Sequence, residues 1–166
     1  TMSILAKKKN MKWEKLNMRI NNLFILFAIS LVTISGCSST KEISRKKAYY
    51  DKITRVQNQL KSINFNDGET LVDPKDQDIL AKNARVFFDH PDLKIVLEGH
   101  TDTEGPSDEN YDLGLKRVKV VKEKLVDMGI ESDRITTRSF GGEQPQVYET
   151  SEKRASINRR VEFKVF

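Results

Sequence analysis

The chain is poor in cysteine, histidine and apolar residues, and each shortage excludes a class of structure. One cysteine among 166 residues excludes an internal disulfide and a cysteine-rich zinc site. Two histidines exclude a three-histidine metal centre. Apolar residues make up 37% of the chain and charged residues 32%. This composition excludes a protein with several membrane spans and predicts that part of the chain lies outside any core.

The net charge of +5 comes from the first part of the sequence. Residues 1–36 hold six basic side chains and one acid, whereas residues 37–166 hold 23 basic and 23 acidic residues. The greater part of the chain is therefore neutral, and bulk charge gives no support for nucleic-acid binding. The basic pair Arg159-Arg160 is expected to bond to carboxylates of a neighbouring loop rather than to phosphate.

A short apolar run near the start of the sequence predicts a signal peptide. Residues 23–35 (LFILFAISLVTIS) carry no charge in thirteen positions. A helix of that length spans about 20 Å, less than the roughly 30 Å of a bilayer core. The run fits the apolar region of a signal peptide, and a basic stretch precedes it. Met2, Met11 and Met18 are each possible starts, and Met18 gives the most compact leader.

The sole cysteine stands directly after this run. Ile34-Ser35-Gly36-Cys37 resembles a bacterial lipobox, in which the cysteine sulfur receives a diacylglycerol and the signal peptidase cuts before it. The resemblance implies that Cys37 is lipidated. Each buried CH₂ group contributes about 0.8 kcal/mol, so two or three acyl chains such as palmitate would hold the protein on a lipid bilayer. The alternative is a free thiol at the end of a membrane segment.

The sequence divides into three parts. Residues 1–36 are a leader and signal peptide, residues 37–61 are the lipidated cysteine and a tether, and residues 62–166 are one folded domain. In the tether, Tyr49, Ile53, Val56 and Leu60 recur at helical spacing and form an apolar stripe. A helix over 42–61 would pack on the domain or on a partner helix; the alternative is a solvated, partly helical tether.

The pattern over residues 62–166 predicts strands over 62–65, 93–98, 135–139 and 158–166, helices from Asp73-Pro74 to Pro91 and over 108–128, and a loop over 145–155. Two helices and about four strands suggest an α/β (α+β) sandwich with both helices on one sheet face. The expected buried residues of the two helices are Ile79, Leu80, Ala84, Phe87 and Phe88, and Leu113, Val121, Leu125 and Met128.

Six separated motifs follow one another in the order of a known family. Together they resemble the OmpA C-terminal-like family, which includes the peptidoglycan-associated lipoproteins, over about residues 63–166. The motifs are Glu98–Gly105 (EGHTDTEG), Asn110 with Leu113 and Arg117, Gly129-Ile130, Arg134-Ile135, Phe140–Pro145 (FGGEQP) and Asn158–Phe163 (NRRVEF). The chain departs from the family pattern at Glu109, Gly114 and Val118, where an aromatic residue, a serine and an alanine are usual.

The resemblance implies a mixed sheet and non-covalent binding of peptidoglycan through the diaminopimelate of its stem peptide. Asp102 and Arg117 match the family residues that contact the amine and the carboxylate of that amino acid. A zwitterion needs one anion and one cation at a fixed separation, and a guanidinium grips a carboxylate with two parallel bonds. Asp102 is expected to lie exposed in the pocket.

Four further residues are candidates for this site. Asn110 either caps the second helix or touches the ligand. Phe65 and Asn66 are expected to wall the pocket, and Thr101 to brace the loop.

No enzyme is expected from this sequence. His100, Asp102 and Glu104 lie close together but lack the helical spacing of a zinc hydrolase, and no serine elbow or phosphate loop is present. No metal and no cofactor are therefore expected.

The resulting hypothesis is an outer-membrane lipoprotein, on the periplasmic face, that tethers the membrane to the cell wall. Its partners are the peptidoglycan stem peptide, the bilayer and other envelope proteins, but no nucleic acid. The alternative is an envelope-complex interaction protein, with wall binding secondary, that uses the stripe from Tyr49 to Leu60.

Overall fold

The computed structural model describes residues 38–148 and 151–166. The predicted leader and Cys37 lie outside the described residues. The elements are α1 (Ser38–Gln57), β1 (Ile63–Asn64), α2 (Pro74–Asp89), β2 (Ile95–His100), α3 (Ser107–Asp127), a 3₁₀ turn (Ser132–Arg134), β3 (Ile135–Gly141), α4 (Glu152–Asn158) and β4 (Arg160–Val165). Within the described ranges, none of the helices combines the length and the apolar character needed to cross a membrane.

The described residues divide into two units, residues 38–48 and residues 49–166. In the first, the described residues 38–48 form the N-terminal part of α1. The second holds a four-stranded sheet in the order β1-β4-β2-β3. β4 runs antiparallel to both β1 and β2, whereas β2 and β3 are parallel. The predicted fold class, a mixed sheet of about four strands with two main helices, is confirmed.

One apolar core lies between the sheet and both main helices. Successive side chains of a strand point to opposite faces, and Leu97 and Phe163, paired across β2 and β4, both point into the core. Phe87 of α2 packs on the Phe163 ring with 6.1 Å between centroids. The buried apolar residues that the two helices contribute to this core are Leu80, Ala84 and Phe87 of α2 and Val118, Val121 and Leu125 of α3.

Two residues expected in this core are exposed. Phe88 is 51% exposed because it follows Phe87 directly, about 100° further round the helix. Met128 is 39% exposed because it stands beyond the last residue of α3, at its cap. Apart from Met128, the predicted ends of α2 and α3 are confirmed. Asp73 caps α2, with Pro74 as its first residue, and Gly129 adopts a φ of 102° after α3.

The end of α1 belongs to the domain. Val56 is buried in the core, and Ile53 and Leu60 pack against it, whereas Tyr49 is 45% exposed. The apolar stripe therefore packs on the domain from Ile53 onward. Gln57 adds a polar contact to the sheet: its Nε2 donates to the Phe163 carbonyl at 2.7 Å, and its Oε1 accepts from the Val165 N–H at 3.2 Å.

The predicted loop over 145–155 runs into a short helix, α4, that the sequence pattern did not reveal. Its seven residues bury only Ala155 and Asn158, so no apolar periodicity marks them. The Asn158 side chain accepts from the Gln146 and Val147 N–H groups and donates to the Val147 carbonyl. These bonds hold α4 in place of apolar packing. The last strand therefore begins at Arg160 and not at residue 158, where the sequence pattern predicted it.

Candidate functional site

Arg117 is the most deeply buried charged residue of the candidate site. Its side chain extends from the middle of α3, and the residue is 0% exposed. Nε donates to the Glu69 carbonyl at 2.9 Å, Nη1 to the His100 carbonyl at 3.1 Å and Nη2 to the Asn66 carbonyl at 3.1 Å. The guanidinium thus ties α3 to the end of β2 and to the turn after β1.

Asp102 lies two residues after β2 and pairs with Arg159, not with Arg117. The Arg159 Nη1 donates to Asp102 Oδ2 at 2.9 Å. Arg159 also bonds to Glu152 and to the Phe65 carbonyl. Asp102 is 7% exposed, so the expectation of an exposed pocket carboxylate is wrong. The expectation that Arg159 pairs with a carboxylate of a neighbouring loop is confirmed; Arg160 instead pairs with Glu162 of its own strand.

Both arginines keep their charge at neutral pH. Burial lowers the pKa of Arg117 to about 10, and the nearby Asp102 charge partly offsets that effect. The pKa of Arg159 is raised, chiefly by its hydrogen bond with Glu152 and also by Asp102, against the effect of burial. The end of the sheet therefore holds two guanidinium groups and two carboxylates, those of Asp102 and Glu152.

Backbone contacts fix the loop that carries Asp102. The Thr101 hydroxyl donates to the Asp102 carbonyl at 2.8 Å, and the Thr101 N–H donates to the Gly141 carbonyl at 2.8 Å. This confirms Thr101 as a brace for the loop. A Cβ atom on Gly142 would lie 2.6 Å from the Asp102 carbonyl oxygen. Glycine at 142 is therefore what lets the turn after β3 approach this loop.

Two facing glycines bring α3 against the sheet. A Cβ atom on Gly99 would lie 2.3 Å from the Gly114 carbonyl oxygen, and one on Gly114 would lie 2.1 Å from Ser139 Oγ. Ser139 Oγ itself donates to the Tyr111 carbonyl at 2.8 Å. Gly114, where the family usually has serine, thus fits a site in which Ser139 already supplies a hydroxyl. This close approach lets Arg117 reach the His100 carbonyl.

Asn110 lies in the first turn of α3 beside two surface cavities. Its Nδ2 donates to the Glu104 carbonyl at 2.7 Å and holds the loop between β2 and α3. Pro106 is the capping residue of α3, so the capping alternative for Asn110 is wrong. Asn110 lines a cavity of about 190 Å³ with Thr103 and Gly142, and another of about 330 Å³. The ligand alternative for Asn110 stays a prediction.

Phe65 and Asn66 both contact the buried guanidinium, through a ring and a backbone carbonyl respectively. The Arg117 Cζ stands 5.1 Å from the centre of the Phe65 ring, which is buried. Asn66 is exposed, and its Nδ2 donates to Glu69 Oε2 at 2.9 Å. Residues 66–69 thus form a turn over Arg117. The Asn66-Asp67-Gly68 sequence predicts this turn, and the structure confirms it. Sequence reasoning missed Glu152, because it carries no motif residue of the family.

The OmpA family matches residues 64–159, more than half of the chain. The chain belongs to the OmpA family. The match spans both candidate charges, Asp102 and Arg117, and also Arg159.

The chain is similar in sequence to two proteins named for peptidoglycan and in structure to one solved domain. The chain is 28% identical over 139 residues to the peptidoglycan-associated lipoprotein of Pasteurella multocida. The aligned part covers 82% of this chain and 93% of that relative. It is 34% identical over 100 residues to the peptidoglycan-binding protein ArfA of Mycobacterium tuberculosis, covering 60% of this chain but only 30% of ArfA. The crystal structure of the peptidoglycan-associated lipoprotein from Burkholderia pseudomallei superposes with a TM-score of 0.61 at 28% identity, covering 63% of this chain and 89% of that one.

Proposed function

We propose that this OmpA-family protein is an envelope lipoprotein that binds peptidoglycan non-covalently and holds a membrane to the cell wall. Two of the relatives described above are named for association with peptidoglycan. The Pasteurella relative matches along nearly its whole length, so the proposal rests on more than a shared domain. The proposed role contains no catalytic step.

We further propose that the ligand is the diaminopimelate of the stem peptide, held by Asp102 and Arg117. The observation that supports this is a buried carboxylate and a buried guanidinium at one end of the sheet, close enough for the Asp102 charge to raise the pKa of Arg117. Asp102 would take the ligand ammonium. A guanidinium has five N–H groups, and three of those on Arg117 donate to backbone carbonyls. The other two, one on each Nη, would take the carboxylate.

The ligand would reach Arg117 through the turn over residues 66–69. Asn66, Asp67, Gly68 and Glu69 are all exposed, and the Asn66–Glu69 side-chain bond is exposed as well. A small displacement of this turn would open the two remaining N–H groups of the guanidinium to the ligand carboxylate. The remainder of the stem peptide would lie in the groove beside Asn110.

Sedimentation with cell-wall sacculi tests the binding of peptidoglycan, and calorimetry tests the ligand. The full chain, purified in mild detergent, should co-sediment with isolated sacculi. Stem peptides with diaminopimelate should compete, whereas peptides with lysine at that position should compete poorly because they lack the second carboxylate. Equal affinity for the two peptides would contradict the proposed role of Arg117.

Three variants separate ligand contact from structural support. Asp102→Asn and Arg117→Lys should each lower the affinity for the diaminopimelate peptide at least about thirtyfold. The reason is that truncating one partner of a buried charge pair costs about 2–5 kcal/mol. Glu152→Gln is the control, because Glu152 bonds to the same Arg159 but its side chain is 75% exposed. It should leave affinity nearly unchanged. Loss of binding by all three variants would mean that the Arg159 network acts by holding the fold.

We also propose that Cys37 carries the lipid anchor, at the periplasmic face of the outer membrane. The support is the lipobox-like sequence Ile34–Cys37 and the short apolar run before it. Cys37→Ser should give an uncleaved precursor that incorporates no labelled palmitate. Continued labelling of this variant would exclude Cys37 as the lipidated residue.

The alternative function, an interaction protein of an envelope complex, depended on a free apolar stripe. Val56 is buried in the domain core, and Ile53 and Leu60 pack against that core. Three of the four stripe residues are thus engaged within the domain. This packing favours wall binding over the alternative.

A further inference from the structure

The sheet face turned away from α2 and α3 carries a cluster of charged residues. Glu98 and Glu162 are direct partners across β2 and β4, and His100 is opposite Arg160. These residues alternate with core residues such as Leu97 and Phe163, so their side chains point to the other face. Glu98 is 5% exposed and His100 is 2% exposed. Together they border a cavity of about 570 Å³.

The His100 imidazole is buried without a hydrogen bond. Among the described residues, neither Nδ1 nor Nε2 has a partner, although buried polar atoms are nearly always satisfied. The ring stacks on Phe140, with 5.4 Å between centroids and 19° between planes. Burial lowers the pKa of His100 to about 4, with the Arg160 charge as a further cause, so the imidazole is neutral at pH 7. A neutral imidazole is the form that binds metal ions.

The cluster brings together the donor atoms of a metal site. One ligand atom from each of Glu98, His100 and Glu162 lies within 4.8 Å of the other two. We propose that these three residues bind a divalent transition-metal ion, with Zn²⁺ as the best match. Zinc accepts one nitrogen and two carboxylate oxygens at about 2.0–2.2 Å and leaves a position for water. The three side chains lie on the outer face of the sheet, whereas Arg117 contacts only the backbone carbonyl of His100. The proposal does not depend on peptidoglycan binding.

Three cations surround the two carboxylates and decide which oxygens a metal ion would use. Both bonds from Arg138 go to Glu98 Oε1, which leaves Oε2 for the metal. Arg160 bonds to Glu162 Oε1, and Lys164 bonds to Oε2 at 2.7 Å.

Arg160 is buried and would stay as an outer partner that orients Glu162. The Lys164 side chain is 43% exposed, so it can swing into solvent and release Oε2. Lys164 is therefore a competitor of the metal ion, and its removal should strengthen binding.

Calorimetry on the full chain, purified in mild detergent and stripped of metal, tests the site. We expect one Zn²⁺ per chain at this site and no response to Mg²⁺. His100→Gln should weaken Zn²⁺ binding about tenfold or more, since even outer-shell partners change metal affinity by about 10–100-fold. His90→Gln, which alters the other histidine of the chain, is the matched control and should bind as the wild type does. Equal Zn²⁺ affinity in wild type and His100→Gln would overturn the proposal.

A second pair of variants should change the Zn²⁺ affinity in the opposite direction, which distinguishes loss of a ligand from a folding defect. Lys164→Gln should bind Zn²⁺ more tightly than the wild type, whereas Lys124→Gln, in the last turn of α3, should not differ. A general loss of structure cannot strengthen binding. Weaker or unchanged binding by Lys164→Gln, or absence of Zn²⁺ binding in the wild type, would show that the cluster is an ion-pair network only. Sacculus binding by Lys164→Gln should stay intact, which separates this test from that of the wall-binding site.

Discussion

The Arg159 Nη1 donates to Asp102 Oδ2 at 2.9 Å and ties the start of β4 to the loop after β2. Both side chains are nearly inaccessible, with 4% and 10% exposed. The carboxylate proposed to receive a ligand ammonium therefore already has a cationic partner. Such an aspartate contributes to folding as well as to binding.

Asp102→Ala should consequently destabilise the protein. Arg159 would stay buried with Glu152 as its one remaining carboxylate partner, and an unsatisfied buried group costs about 1–3 kcal/mol. Urea denaturation of variant and wild type measures this difference in the free energy of unfolding. Asp78→Ala, on the exposed side of α2, should change it little. Equal stabilities for the Asp102 and Asp78 variants would contradict the structural role of the ion pair.

Two adjacent phenylalanines provide a matched test of the core. Phe87 is 1% exposed and packs on Phe163, whereas Phe88 is 51% exposed. Phe87→Ala should lower the free energy of unfolding by about 3–5 kcal/mol, because truncation leaves a cavity. Phe88→Ala should cost much less. Thermal denaturation of the two variants checks the order, and the reverse order would mean that α2 is rotated from the orientation described.

The contact between α3 and β3 predicts a coupled pair. Gly114→Ala should destabilise the protein because the new Cβ would lie 2.1 Å from Ser139 Oγ. The same change in a Ser139→Ala background should cost less, since the hydroxyl is gone. Residues in contact have coupling energies of about 0.5–3 kcal/mol. A double-mutant cycle of unfolding free energies measures the coupling energy of Gly114→Ala and Ser139→Ala. Additive effects would show that the helix moves away freely.

The regular elements of the domain were predictable from sequence because their residues carry local signals. The Asp73-Pro74 cap, the alternation in β4 and Gly129 after α3 each act within a few positions of the chain. The short helix α4 was not predictable, since bonds from Asn158 to the loop that precedes the helix hold it rather than an apolar stripe.

The family resemblance marks Asp102 and Arg117 as candidate ligand residues, a role that stays a prediction. The basic pair Arg159-Arg160 is expected to bond to a loop carboxylate, but the sequence does not say which one. The partner of Asp102 is Arg159, which lies 57 positions away in sequence. Glu98 and Glu162 are neighbours only because β4 pairs with β2, and no local spacing in the sequence indicates that they meet.

Gln57 is expected to stabilise the edge of the sheet. β1 pairs with β4 over just two residues, and the Gln57 amide bonds to the Phe163 carbonyl and the Val165 N–H on the part of β4 beyond them. Gln57→Ala should cost about 1–3 kcal/mol of unfolding free energy, because it leaves two backbone groups without that partner. Gln59→Ala is the control, since Gln59 bonds at 3.3 Å to a carbonyl of its own segment at the surface. Hydrogen exchange should show faster exchange of the Val165 amide in the Gln57 variant alone.

The Asp73 cap predicts a pH dependence of stability. The Lys75 backbone N–H donates to Asp73 Oδ1 at 2.9 Å, and this bond, with help from the Lys75 side chain, lowers the pKa of Asp73 below 3.8. A carboxyl group whose pKa is lower in the folded state stabilises the fold above its unfolded pKa. That contribution is lost as the pH falls through the folded pKa.

Asp73→Ala should therefore be less stable than wild type at pH 7, and the gap should narrow below about pH 4, where the wild-type carboxylate protonates. Asp73→Asn is the matched control, because asparagine caps helices about as well as aspartate without titrating. The stability of Asp73→Asn should be close to that of the wild type at pH 7. Unlike the wild type, this variant should not lose the contribution of the cap as the pH falls. Melting temperatures of the three proteins between pH 3 and 7 measure the effect. A gap between wild type and Asp73→Ala that stays constant over this range would mean that the carboxylate charge contributes nothing to the cap.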